Sequence, residues 1–387
     1  MTLYDELLGA VGLEDPSRAI IRIQTTYEPS SGTDGRVFPP TFPAVNNSPY
    51  ALEKHLRNGE VVDAVVLDQV ASQANRCEQA LLRGVRRGQL QLPLIEINHT
   101  GQADISLTSY DLPHRYADAY LRDSTIDGIA FDKTELGKAM LAADLADATA
   151  LYQHDPGSLV YGAWNSHRKG RQTKFPRIYA SEIVGWNAVP GQRRAGRMDP
   201  VNLVGSVVGT GEEWTYKAVA DKAGDRKDKG TRLSEIGHGN IAPNPAHGGV
   251  TISDATRFAT ISLAALDRIE FGSSPQPAQL AGRAALAAFA LLGDRLAFGR
   301  ASVWLRSGCE LRTIDESLAW IGFSDSREDF ELSVKDAVAL FDTARDAAAA
   351  AGLAMDLTPV RAVPNSALAS AIDFSLTKAP AEDKAKG

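Results

Sequence analysis

Eight basic side chains gather in one short stretch whose chemistry suits phosphate groups. Between Pro156 and Met198 stand Arg168, Lys169, Arg171, Lys174, Arg177, Arg193, Arg194 and Arg197 against a single acid, Glu182. The local charge is +7 in a chain of net charge −7, so the remaining residues carry −14. The cations fall in two segments, N-S-H-R-K-G-R-Q-T-K after Trp164 and P-G-Q-R-R-A-G-R-M after Val189, read as loops held by apolar strands. They alternate with Gly, Ser, Asn, Gln and Thr, which also bond phosphate oxygens. Such segregation on an acidic body is the electrostatic footprint of a polyanion-binding face. A pair of solvated surface loops is the plainer alternative.

Three further groups of residues could contribute. Val70, Ala74, Cys77, Leu81 and Val85 recur at helical spacing as one apolar seam, which leaves Gln73, Asn75, Arg76, Arg83, Arg86 and Arg87 off that line, where a solvated polar face is the plainer alternative. The loop I-G-H-G-N-I-A-P-N-P-A-H-G-G-V offers Gly237, His238, Gly239 and Asn240, and glycines there allow a backbone to approach a phosphate closely. Residues 209–232 lose apolar periodicity and mix charges with glycines, as a mobile excursion or a hairpin that folds on a ligand would. Trp214 and Tyr216 at its root could stack on bases.

Assembled catalytic chemistry is not legible. His247-Gly248-Gly249 has no G-x-S-x-G partner, and no Walker loop, H-E-x-x-H or C-x-x-C occurs. His154, His167, His238 and His247 are scattered without ligand spacing. No cofactor or metal is expected, and a binding or scaffold protein is favoured over an enzyme.

The 387 residues, 44% apolar and 23% charged, suit a soluble globular protein with a large core. The first ten residues have no basic leader, and the longest apolar run, Ala284 to Leu292, is far short of the roughly 20 residues a membrane span needs. Two cysteines, Cys77 and Cys309, build no disulfide framework, so a reducing cytoplasm is expected. Periodicity predicts a helix at Leu3–Leu8, strands at Ala19–Thr25, Val61–Leu67 and Leu92–Ile97, and a helix between the last two. That succession reads as a parallel βαβ unit. Further expectations are a loop over 28–43, a strand over 103–107 and helices over 134–151, 277–296 and 333–351. Strands are expected over 201–208 and 301–306, and a disordered tail over 376–387.

Several motifs coincide in order: S-Q-A-N-R at 72–76, D-P-G-S-L-V-Y-G-A-W at 155–164, F-P-R-I-Y-A-S-E-I at 175–183, G-H-G-N-I-A-P at 237–243 and L-R-S-G-C-E-L at 305–311. With them the chain resembles, from about Val61 to Leu311, the RAMP-type backbone subunit (the Cas-seven class) of the type I-U, or I-G, CRISPR interference complex. The resemblance implies an α+β fold: one domain over 1–375, an RRM-like (ferredoxin-type) palm with large insertions. Those insertions would form finger and thumb-like elements, with basic loops at 165–198 and a flexible thumb over 209–232. It implies copies of the chain polymerising along a CRISPR RNA beside other Cascade subunits. The guide would then pair with target DNA while Arg and Lys hold the backbone. Carried over to RNA contact are Ser72, Gln73, Asn75, Arg76, Arg168, Lys169, Arg171, Lys174, Arg177, Gly237, His238, Gly239 and Asn240. Arg193, Arg194 and Arg197 join them on charge, and Trp214 and Tyr216 as thumb candidates. The alternative within the same superfamily is a metal-independent endoribonuclease that processes CRISPR RNA, with His238 or His247 as general base.

Overall fold

A computed structural model of the chain describes residues 2–12, 17–42, 48–101, 104–165, 173–203, 205–208, 214–217 and 231–377. Helix α1 (Leu3–Val11) opens the chain, followed by β1 (Arg18–Pro29), β2 (Leu52–Arg57), β3 (Glu60–Asp68) and α2 (Val70–Arg86). Later come β4 (Tyr179–Trp186), β5 (Val189–Arg197), β6 (Ile241–Thr251), β7 (Ala255–Ser262) and α3 (Gln276–Phe298). The described chain continues through β8 (Ser302–Arg306), β9 (Cys309–Gly322), β10 (Arg327–Phe330) and α4 (Val334–Ala350).

Eight of these strands make the main sheet, in the order β8-β9-β1-β7-β4-β3-β2, with β10 alongside β9. Every pairing in it is antiparallel. The fold is mixed α and β. Alternation along β1 buries Ile21, Ile23, Thr25 and Tyr27 on one face and leaves Arg22 and Gln24 exposed on the other. Helix α2 packs on β4 and on α3, Asp294 of α3 bonds Tyr179 and Arg257 of the sheet, and α1 and α4 pack on α3, which is therefore covered almost all round. Its alanines suit that position, since small side chains let neighbouring helices approach.

Periodicity located α1, β1, the helix of residues 70–86, the long buried helix and the last long helix. It misplaced three connections. The expected parallel βαβ unit does not form, because β3 is flanked by β2 and β4 in the main sheet. The strand after α2, Ile95–His99, instead pairs in parallel with Val360–Pro364 in a separate five-stranded sheet. Strand β2 went unread although its signal was present: Asn58 and Gly59, both at positive φ, form the two-residue turn of the β2–β3 hairpin. The helix expected over 134–151 is two helices, Glu135–Ala142 and Thr149–His154. Between them the Asp144 carboxylate accepts from the backbone N–H of Ala146 and Asp147, a local turn that competes with helix.

The expected loop over 28–43 contains a two-residue strand, Arg36–Val37, on β6. Leu376 and Thr377, assigned to the tail, close a helix that begins at Ser366, and 378–387 lie outside the described residues. No described helix is long and apolar enough to cross a membrane.

Candidate nucleic-acid interface

The segment D-P-G-S-L-V-Y-G-A-W folds as a buried helix, Pro156–Tyr161, and a short strand, Ala163–Trp164. Pro156 takes the first helical position, where its missing N–H costs nothing. Gly162 ends the helix at φ +83°, and a Cβ there would lie 2.9 Å from Arg177 Cγ and 3.1 Å from the Phe175 carbonyl oxygen. Only glycine fits this crossing. The chain then pairs Trp164 with Lys174 and Ala163 with Phe175 in a short antiparallel ladder. Lys174 Nζ thereby stands 5.5 Å from the centroid of the Trp164 ring, which is 53% exposed.

This ladder forms one wall of a cleft of about 640 Å³. Asn75 from α2, His114 and Arg115, Trp164, Lys174 and Arg177 line it. Beneath the floor, Arg115 grips Glu78 through two N–H···O bonds of 2.6 and 2.8 Å and donates to the Gly162 carbonyl at 2.8 Å. Burial pushes the Glu78 carboxyl up to about 7, against the pull of Arg115 and Arg177. Arg177 is itself held below its ordinary value by burial and by the like charge of Arg115. Neither Lys174 nor Arg177 has a carboxylate partner among the described residues. The cleft is thus a concave surface with two cations outside any direct ion pair among the described residues, a half-exposed indole and an amide side chain, which can hold a phosphate beside a stacked base.

Of the expected contact residues, Asn75, Lys174 and Arg177 meet in this cleft. Ser72 lies one turn away, half-buried. Arg168, Lys169 and Arg171 lie outside the described residues. Gln73 is corrected: it is 0% exposed, and its amide bonds Asp68, Ser181 and Arg257 in the interior. The apolar seam of α2 is wider than its hydrophobic residues suggest, because Gln73 and Glu78 bury with polar partners. Arg76 binds Asp68 at 2.7 Å and the carbonyls of Trp304 and Leu305, and so ties α2 to the edge strand β8.

The second basic loop is corrected as well. Residues 189–197 are strand β5, paired with β6, so two thirds of the expected glycine-rich loop, from Ile241 onward, is strand too. Alternation sends neighbouring Arg193 and Arg194 to opposite faces. Arg193 lies over the Phe38 ring at 5.4 Å, and Arg194 is exposed. Arg197 turns back to the carbonyls of His238 and Gly239.

Those contacts close the neck of the excursion. Asp199 accepts from the N–H groups of Val201, Leu203 and Gly239, while Asn240 accepts from the Asp199 N–H at 2.7 Å. The backbone donors, Leu203 foremost, hold the Asp199 carboxyl below the ordinary range. Gly237 and Gly239 supply the positive φ this turn requires. The Gly239 amide is engaged by Asp199 and the His238 amide by the Leu233 carbonyl, so neither is open to a phosphate. Replacing Asp199 with alanine is expected to speed hydrogen exchange of the Val201, Leu203 and Gly239 amides several-fold. The β5–β6 ladder nearer the main sheet should stay protected.

Beyond the neck, Ser206–Val208 pairs with Thr215–Lys217 and Thr231–Arg232, a shorter strand than the expected 201–208. Trp214 and Tyr216 are exposed, and Trp214 lies 5.9 Å from the His238 ring. Residues 209–213 and 218–230 lie outside the described residues. Trp164 and His114 were missed by sequence reasoning, because their place in the cleft follows from strand pairing and tertiary packing.

No curated protein matches the chain. Residues 21–190 match the family described as CRISPR-associated protein GSU0053, a span that contains all the lining residues of the cleft. Over that span the chain is similar to this family, and the match supports a CRISPR-associated protein.

Proposed function

We propose that the protein is a non-catalytic backbone subunit that binds CRISPR RNA in a type I-G/I-U Cascade complex of antiviral defence. In this reading copies of the chain polymerise along the guide in the cytoplasm, beside other Cascade subunits, and present it for pairing with target DNA. The observation that carries the reading is the coincidence of the CRISPR-associated match with the cationic cleft: the matched span holds Asn75, Trp164, Lys174 and Arg177 together. Lys and Arg without partners grip a sugar-phosphate chain and leave base edges free, as guide pairing requires.

The strand order lends support. Taking β1, β4, β7 and β9 as four successive strands, the sheet runs fourth, first, third, second, with α2 before the second and α3 before the fourth. That order agrees with the βαββαβ succession expected of a ferredoxin-type, RRM-like palm. In this reading strands β2 and β3 and the β5–β6 hairpin are the insertions that would serve as finger and thumb-like elements.

Co-expression with a CRISPR array tests the proposal. The purified protein should carry RNA, read as a raised absorbance ratio at 260 over 280 nm, and micrographs should contain curved filaments of repeating subunits. RNA-free isolated particles would sink the reading. A discrete cut in a repeat-containing transcript, abolished in His238→Ala, would favour the endoribonuclease instead.

A further inference from the structure

A second cationic cleft lies on the other flank of α2. Its volume is about 510 Å³, and Arg76, Gln79, Arg83, Arg300 and Trp304 are among the residues that line it; no acid is. Arg76 is fixed by Asp68 and two carbonyls. Arg83 and Arg300 have no carboxylate partner among the described residues, and they repel one another. Partial burial first, then the charges of Arg300 and Arg87, hold the Arg83 guanidinium below its ordinary value. Trp304, 62% exposed, stands on the edge strand β8. Glu310, the nearest cross-strand carboxylate, accepts from Ser302. Arg83 and Arg300, crowded into one concavity without carboxylate partners of their own, leave an electrostatic deficit that an anion would fill.

The two clefts are joined along α2. Ala71, Asn75, Gln79 and Arg83 follow one another at four-residue spacing, all exposed, and so form one ridge about 18 Å long. Ala71 and Asn75 belong to the first cleft, Gln79 and Arg83 to the second.

We propose that the Arg83–Arg300 cleft is a second phosphodiester-binding site, occupied by single-stranded nucleic acid whose chain crosses the α2 ridge from the first cleft and lays a base against Trp304. The inference stands on the shape and charge of this cleft and does not need the guide-RNA reading.

The test uses the full-length protein and fluorescein-labelled oligouridylate of 6 and 15 nucleotides, with uridine monophosphate as competitor. Arg83→Gln/Arg300→Gln should weaken binding of the 15-mer about tenfold. The log–log salt slope should shrink by about 1.4, the share of two contacts on a single strand. Trp304→Ala should weaken it several-fold at an unchanged salt slope. The 6-mer should respond less than the 15-mer to both. Unchanged 15-mer affinity in the double variant overturns the proposal, even where Lys174→Gln/Arg177→Gln lowers it and so upholds the first cleft. Competition by uridine monophosphate as strong per site as by the oligonucleotide overturns it in favour of a free nucleotide. A changed oligomeric state of RNA-free protein with unchanged RNA affinity overturns it in favour of a protein contact. Loss in Arg83→Gln/Arg300→Gln without loss in Lys174→Gln/Arg177→Gln upholds this cleft as a phosphodiester site but overturns the path across the α2 ridge from the first.

Discussion

Asp294→Ala is expected to destabilise the protein by roughly 3–5 kcal/mol, the usual result of removing one partner of a buried ion pair. Asp294 is fully buried on α3 and accepts from Arg257, Tyr179 and Arg295. Burial alone would raise its carboxyl, but the two guanidiniums outweigh that and hold it below the ordinary range. Arg257 is 0% exposed, stacks 3.9 Å over Phe298 and extends the network through Gln73 to Asp68. On the other side Arg295 reaches Glu316, which also accepts from Thr25. Removing Asp294 leaves Arg257 without its one carboxylate partner among the described residues, whereas Arg295 retains Glu316. Denaturant midpoints measure the loss. Arg257→Met/Asp294→Leu should recover part of it, because deleting both charges removes the desolvation cost as well as the attraction. A double variant less stable than Asp294→Ala would mean that the polar network itself, beyond the pair, holds α3 to the sheet.

The second large effect is on RNA. Trp164→Ala/Lys174→Ala/Arg177→Ala should lose about 1–3 kcal/mol from the indole alone, that is roughly 5- to 150-fold in affinity. The two cations add a fall of about 1.4 in the log–log salt slope. All three side chains reach the cleft surface, and none belongs to the Arg257–Asp294 network, so the melting temperature should move little. Fluorescence anisotropy on oligouridylate at three salt concentrations separates the two contributions. Full affinity in the triple variant would detach the cleft from nucleic acid.

What could be read in advance follows from what each signal measures. Hydrophobic period reports which face of an element is covered, and it found α2, α3 and α4 because their seams are apolar. It could not report that Gln73 and Glu78 share the buried side, since a polar residue inside is recognisable only through its partners, here Asp68, Ser181 and Arg115. Charge clustering found Lys174 and Arg177 but also enrolled Arg193 and Arg197, whose roles depend on strand alternation and on a turn closed by residues 40 positions away. Trp164 carries no periodic signal; its use emerges only when pairing puts Lys174 across from it. The βαβ expectation failed because adjacency in sequence does not say which sheet edge is free.

Strand pairing across the end of the family match has a bearing on how the cleft can be inherited or engineered. The match ends at residue 190, yet β1 and β4 within it are joined only through β7, and β1 is sheltered on its other side by β9. A fragment cut at that boundary would keep every lining residue of the cleft and lose the two strands that seat its supports. Grafts, truncations and domain swaps that aim to move this cleft therefore have to carry the chain to Gly322.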